Sequence, residues 1–238
     1  MSASSEKSNL FNELKCEIIA CRKCPRLTAW REKVGIEKRR AFRDQDYWAK
    51  PVPGFGDENA RVILMGLAPG AHGSNRTGRM FTGDESGRFL YAALHKAGFA
   101  NQPTASHMDD ELALRDVWIT AVCRCAPPDN MPTPVEMDNC RPFLSREYEI
   151  LKPIQGIVAF GKIAHDVAFK LIRQNEKMNN PKFGHGVFYP SAANQPWILA
   201  SYHPSRQNTQ TGRLTTSMFD AIWIEVRRLL ELKQTTSG

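Results

Sequence analysis

Arg61-Val62-Ile63-Leu64-Met65-Gly66-Leu67-Ala68-Pro69-Gly70-Ala71-His72-Gly73-Ser74-Asn75-Arg76-Thr77-Gly78-Arg79-Met80-Phe81-Thr82-Gly83-Asp84-Glu85-Ser86-Gly87 is an apolar run that empties into a long glycine-rich loop. The run at its start has the length and β-branching of a buried strand. The segment after it, Arg88-Phe89-Leu90-Tyr91-Ala92-Ala93-Leu94-His95, is helix-like. Strand, glycine-rich loop and helix is the order in which α/β proteins present backbone N–H groups to an anion or a polar ligand. The loop carries acid, arginine, aromatic, hydroxyl and amide side chains, and loops of this length are often functional. The plainer alternative is a surface connection.

Outward from this unit the same alternation recurs. Apolar stretches at 117–122, 154–161 and 197–202 read as three more strands. Helical patterns begin near Pro134 and cover 163–174 and 215–232, the last with the spacing of a closing amphipathic helix. An N-terminal helical segment at about 10–30 is interrupted by Cys21, Cys24 and Pro25, and residues 51–57 form a proline-rich turn into the first strand. Strands that alternate with helices predict an α/β fold, a parallel sheet covered on both faces. Ligands then bind outside the carboxyl ends of the strands, where the loops after strands one, two and four converge. With no internal repeat and no linker, the 238 residues are expected to form a single domain, with an arm at about 10–50.

A hydrophobic content of 42% supports a full core, and 24% charged residues is ordinary for a soluble chain. No apolar run reaches membrane-spanning length, and the N-terminus lacks a secretory layout, so an intracellular place and no membrane partner are expected. The net charge of +7 favours a polyanionic partner. Basic residues gather at Lys33, Lys38, Arg39, Arg40 and Arg43 beside Tyr47 and Trp48, although a solvated helix face looks the same.

Six cysteines in a reducing compartment argue for metal or redox chemistry over disulfides. Cys21 and Cys24 are a C-x2-C pair; Cys125 and Cys140 could supply two further thiolates, leaving Cys16 and Cys123 as spares. Four thiolates suit a tetrahedral zinc or an iron–sulfur cluster, and unrelated buried thiols remain a third reading. Asp84, bracketed by Gly83 and Gly87, reads either as a helix cap or as a carboxylate that activates water. His203 follows the fourth strand at the ligand-binding edge. Ser205, Arg206 and Gln207 open a stretch of donors suited to phosphate contacts.

These pieces resemble the uracil-DNA glycosylase superfamily, in particular its type-5 iron–sulfur branch of bacteria and archaea. The markers are Pro51-Val52-Pro53-Gly54-Phe55-Gly56-Asp57, Gly66-Leu67-Ala68-Pro69-Gly70, Asn75-Arg76-Thr77-Gly78-Arg79, Phe81-Thr82-Gly83-Asp84, Asn130 with Pro132-Thr133-Pro134, and His203-Pro204-Ser205-Arg206-Gln207-Asn208. The resemblance implies a three-layer αβα sandwich around a four-stranded parallel sheet. It implies a structural [4Fe-4S] cluster on Cys21, Cys24, Cys125 and Cys140 that ties the arm to the domain. It further implies a monomeric, cytoplasmic, nucleoid-associated prokaryotic enzyme that removes a deaminated base flipped out of DNA. In that scheme Asp84 and His203 are catalytic, and Phe81, Asn130, Gly66, Ala68 and Ala121 hold the base. Asn75, Arg76, Ser205, Arg206 and Gln207 contact the DNA.

Two departures from the sister type-4 branch bear on specificity. Leu67 stands where those proteins have glutamate, and Ala121 stands where they have the asparagine that reads the uracil edge. Loss of a bidentate amide removes a strong discriminator, so hypoxanthine and xanthine are expected to be accepted with uracil. Two alternatives stay open: a damaged-DNA-binding module of the same fold without chemistry, and a zinc-containing nucleoside hydrolase.

Overall fold

The computed structural model describes residues 3–172, 181–191 and 195–235. Its centre is a six-stranded sheet in the order β1 (Phe55–Gly56), β3 (Val117–Ala121), β2 (Val62–Gly66), β4 (Gly156–Phe160), β6 (Trp197–Ser201) and β5 (Phe188–Tyr189). The four inner strands are parallel, with Met65 level with Thr120 on one side and Ala159 on the other. The expected four-stranded sheet is therefore the core of a larger, mixed one. The two added strands run antiparallel at the edges, Phe55 opposite Ile119 and Phe188 opposite Leu199. Two residues are too short to show a period, so neither edge announces itself in the sequence.

Alternation along the strands builds three layers. Val62 and Leu64 face α4 (Glu85–Lys96) and α8 (Thr216–Thr235), packing with Leu90, Leu94, Phe219 and Trp223. Ile63 and Met65 face α5 (Pro134–Leu151) and α6 (Lys162–Ile172), packing with Tyr148, Leu151, Ala168 and Phe169. Because both faces are covered, every residue of the inner strands is buried. Two short helices, α3 (Ser74–Thr77) and α7 (Arg206–Gln210), lie where the sequence suggested only loops. The expected helix at 163–174 ends at Ile172, and its last residues lie outside those described.

The N-terminal arm is longer than its sequence pattern indicated. α1 (Ala3–Ala20) and α2 (Pro25–Glu37) replace one interrupted helix, and the break falls at Cys21–Cys24 as expected. Pro25 is tolerated in the first turn of α2, where its missing N–H has no intrahelical partner to lose. Phe11 of α1 stacks on Trp118 at 4.6 Å between ring centres, which lays the arm across the α5 side of the sheet. No helix among the described residues is long and apolar enough to cross a membrane.

Strand order fixes where a ligand can go. From β2 the chain passes through α4 to β3 on one side, whereas β4, on the other side of β2, leads through α6 outward to β6. The loops leaving β2 and β4 diverge, opening a crevice at this switch point.

Candidate active site

A cleft of about 740 Å³ occupies the crevice. Gly66, Ala121 and Phe160, the last residues of β2, β3 and β4, form its base, and the loop after β6 closes one wall. Phe81 lies across the base. Its ring approaches Gly66 so closely that a Cβ there would stand 3.3 Å from the ring carbons, tighter than ordinary contact allows. The ring packs edge-on against Phe160 at 5.8 Å and near-parallel to the His203 imidazole at 5.6 Å and 26°. Phe81 has a φ of 53°, an uncommon left-handed conformation for an aromatic residue. The turn is held by its own N–H, which donates to Ser74 Oγ at 3.0 Å, and by Tyr91, whose hydroxyl donates to the Met80 carbonyl at 2.8 Å. Strain stored in this way beside a cleft fits a ring that must be presented at one angle.

Asp84 caps α4: the Gly87 N–H donates to its Oδ1 at 2.9 Å. The other oxygen, Oδ2, turns toward Gly70 and Gly73, and at Gly73 any Cβ would collide with it. The two readings of Asp84 are thus compatible, with one oxygen capping and the other at the cleft wall. Burial pushes its carboxyl above the usual range, against the opposing pull of the Gly87 and Ser86 N–H groups and the Arg76 charge. His203 experiences the reverse: burial pushes its imidazole down to about 4, so it is neutral at physiological pH. Its backbone is fixed by Asn208, whose Nδ2 donates to the His203 carbonyl at 2.9 Å, and by the cap that Ser205 Oγ provides to the Asn208 N–H. Among the described residues the imidazole nitrogens have no hydrogen-bond partner, which leaves them available to a ligand.

The remaining expected residues divide. Ala68, Ser205, Arg206 and Gln207 line the cleft, the last two exposed at its rim. Asn130 lines it too, beside Asp129, and both carry left-handed backbones with φ of 56° and 54°. Asn75 and Arg76, expected at the DNA surface, are buried inside the fold instead. Asn75 Nδ2 reaches the Arg31 and Ala71 carbonyls at 3.3 and 3.4 Å. Arg76 donates to the His72 and Gly83 carbonyls at 2.8 and 2.7 Å and to Gln45, and stacks 4.0 Å over the Phe42 ring. Both fasten the glycine-rich loop, and burial leaves neither a free donor face for phosphate.

Cys21, Cys24, Cys125 and Cys140 surround one small cavity between the arm, the loop after β3 and α5. Arg31 donates to Cys125 Sγ at 2.9 Å, and Asn139 Nδ2 lies 3.4 Å from Cys24 Sγ. Arg31 and Arg124 are only 2% and 1% exposed, and Arg31 Nε and Arg124 Nε and Nη1 are buried with no hydrogen-bond partner. Arg124 is paired with buried Glu147, whereas Arg31 turns a donor to a thiol, and a buried cation so placed fits an anionic thiolate-bound group. Among the described residues, no three His, Cys, Asp or Glu side chains are gathered closely enough to hold a single metal ion. Cys123 is buried behind the four and paired with Cys140, and Cys16 is exposed.

Sequence reasoning missed Phe160, Asp129 and the two buried arginines. Phe160 was findable, because it ends a strand and the strand-end rule applies to β4 as to the others. Asp129 adjoins an expected residue. Arg31 and Arg124 gave no signal, since nothing local marks an arginine for burial.

Fold and cleft together define a three-layer α/β protein with an aromatic-floored site at a strand switch point, where the carboxylate of Asp84 and the neutral imidazole of His203 stand together. The family model described as "Uracil DNA glycosylase superfamily" matches residues 53–227. The chain is 51% identical over 215 residues to a type-5 uracil-DNA glycosylase of Thermus thermophilus, covering 90% of this chain and 96% of that one. It is 50% identical over 218 residues to the type-5 uracil-DNA glycosylase of Mycobacterium bovis, covering 91% and 81%. A type-4 uracil-DNA glycosylase of Archaeoglobus fulgidus is 31% identical over 196 residues, covering 82% and 81%. The chain belongs to the uracil-DNA glycosylase superfamily.

Proposed function

We propose that this chain hydrolyses the N-glycosidic bond of uracil in DNA, and of hypoxanthine and xanthine as well, leaving an abasic site. The observation that carries the reading is the cleft itself, where Phe81, neutral His203 and the free oxygen of Asp84 meet at the switch point. An extruded base stacks on aromatic surface at the cleft base, which favours any flat base. As the bond breaks, its electron pair leaves with the base and positive charge develops on the sugar. His203, neutral and unpartnered, donates an N–H to the base oxygen where negative charge gathers. Asp84 draws a proton from the attacking water as its oxygen bonds to C1′, and its charge offsets the sugar cation. A carboxyl raised in pKa is a better base than an ordinary one, provided the pH keeps it ionised. Asn130 positions water or base from the rim, and Ser205, Arg206 and Gln207 hold phosphate.

Leu67 and Ala121 leave the cleft base without a group that reads a base edge, which supports the broader substrate range. The four cysteines would hold a [4Fe-4S] cluster, whose part is structural: it would supply negative charge beside Arg31 and tie the arm to α5. The test is a panel of oligonucleotides carrying uracil, hypoxanthine, xanthine or normal bases, treated with alkali after incubation. Strand cleavage at the deaminated bases is expected. No release from any of them would leave only a damage-binding module.

A further inference from the structure

We propose that the segment from Lys38 to Trp48 is a DNA-backbone docking arm, in which Arg39, Arg40 and Arg43 hold duplex phosphates beyond the extruded nucleotide. This rests on the reading of the chain as an enzyme acting on DNA. The first observation is a contrast in pairing. Most exposed arginines on the helices are neutralised locally: Arg22 by Glu32, Arg88 by Glu85, Arg146 by Glu17 and Arg228 by Glu225. Arg39, Arg40 and Arg43 are exposed within five residues of one another, and none has an ion pair among the described residues. The segment also holds Asp44 and Asp46, of which Asp46 faces Lys38 at 3.9 Å. A surface of three unpaired guanidiniums keeps a positive field that a polyanion can neutralise.

The second observation is attachment. The arm is fastened to the glycine-rich loop that forms the Asp84 wall of the cleft. Trp48 N–H donates to the Arg76 carbonyl at 2.8 Å and Ala49 N–H to the Asn75 carbonyl at 2.9 Å. Phe42 lies under the Arg76 guanidinium, Gln45 accepts from it, and Tyr47 Oη meets His72 Nδ1 at 3.0 Å. Arg39 is near enough for its charge, after burial, to lower the His72 pKa. The other wall, after β6, carries Arg206, and Arg213 follows nearby over the Tyr202 ring; both also lack ion pairs among the described residues. Free arginines thus stand on the arm that adjoins one wall and on the segment that forms the other, as a duplex that passes over the cleft and continues to either side requires. Arg76 links the arm to the Gly83 carbonyl, next to Asp84, so a phosphate gripped by the arm bears on the segment that carries the acid.

The test is the salt dependence of binding to a duplex carrying a tetrahydrofuran abasic analogue, which cannot be cleaved. For Arg39→Gln/Arg40→Gln/Arg43→Gln, the slope of log K against log salt should fall by roughly 2 to 3, at about 0.9 per lost contact. Affinity near 0.15 M salt should weaken on the order of 10- to 100-fold by the same relation. Each single variant should lower the slope by about 0.9, which keeps the test open if the triple variant folds poorly. A control that removes equal charge from Arg146, Lys170 and Arg228 should leave the slope at the wild-type value. A triple variant with the wild-type slope, or a control that falls equally, overturns the proposal. So does a triple variant that binds DNA normally and loses only the capture of an acidic protein. If wild-type protein shows no salt-dependent DNA binding and releases no base, the enzymatic reading fails instead.

Discussion

In the cleft, burial acts on an acid and an imidazole; in the cysteine cavity, it acts on two arginines. Asp84 is held with one oxygen on the Gly87 N–H and the other at the wall, and the enclosure raises its pKa. Arg31 and Arg124 are enclosed more completely and retain donors with no partner, although Cys125 and Glu147 take others. A guanidinium cannot shed its proton to escape burial; Glu147 meets the charge of Arg124, and among the described residues Arg31 has only the more distant Glu32, at 3.8 Å, and the Cys125 sulfur. The cleft leaves polar groups unmatched toward open space where a substrate comes and goes. Around the cysteine cavity they are buried instead, beside four thiols that suit a permanent occupant. One region is arranged for chemistry and the other for stability, and substitutions should separate them.

The largest expected effect is in the cleft. Asp84→Ala and His203→Ala should each lower single-turnover uracil release by about 100- to 10,000-fold, the usual range for a lost base or a lost donor to a developing charge. Thermal unfolding should change little by comparison. Near-wild-type rates in both variants would sink the roles assigned here.

The cysteine cavity should show the opposite. Cys125→Ser removes one of the four thiols proposed to hold the cluster, the one beside buried Arg31, and should cost about 3–5 kcal/mol. In a chain of this size that corresponds to roughly 10 °C in Tm. The protein should be brown with broad visible absorption when purified, and the variant should lose the colour together with stability. A colourless wild type that binds zinc would break the comparison on this side.

How much of this was legible depended on whether the signal is local. All four inner strands were, because five buried residues between turn signals stand out in any chain. Asp84 and His203 were, because one sits in a glycine bracket and the other directly after a strand. Asn75 and Arg76 misled, since an Asn-Arg-Thr-Gly-Arg run looks like a phosphate grip until the fold shows Gln45, Phe42 and two carbonyls enclosing it. The free arginines of the arm were visible as a cluster, yet their lack of partners is a property of the folded surface alone. Burial and pairing are set by residues far away in sequence, as Arg31 against Cys125 shows.

A smaller effect tests whether the cleft reads bases loosely because of what is missing. Ala121 closes the base of the cleft level with Gly66, at the end of β3. Ala121→Asn would add an amide there, set to pair with the N–H and C=O edge of uracil; hypoxanthine presents the same pair, but its second ring sets that edge farther from the sugar. Uracil should gain over hypoxanthine by about 1–3 kcal/mol, or 5- to 150-fold in relative kcat/KM. Ala121 lines the cleft but is buried, so the larger side chain adds volume at the cleft base, and Tm should fall, though less than in the cysteine variant. An unchanged ratio would mean that shape, and not the missing amide, sets the range.

The smallest effect is the most direct measure of the difference between the two regions. A carboxyl whose pKa is higher folded than unfolded stabilises the protein fully at pH below its unfolded value, and that contribution is lost as pH rises through the folded value. At neutral pH the ionised Asp84 is therefore a liability to the fold, one that the proposed catalytic role would account for. Asp84→Asn retains an oxygen for the Gly87 N–H, and asparagine caps helices as well as aspartate does. It forgoes the favourable charge at the α4 N-terminus, a term already contained in the net upward shift. The variant should be inactive, of nearly wild-type Tm near pH 4, and a degree or more above wild type at pH 7. The gap should open across the pH range over which Asp84 ionises. His203 works in the other direction: with its pKa held near 4, the fold loses stability as pH falls from about 6.5 toward 4. His203→Gln should flatten that limb and leave the Asp84 gap in place. If Asp84→Asn is the less stable protein at pH 7, the acid is part of the scaffold, and the cleft resembles the cysteine cavity after all.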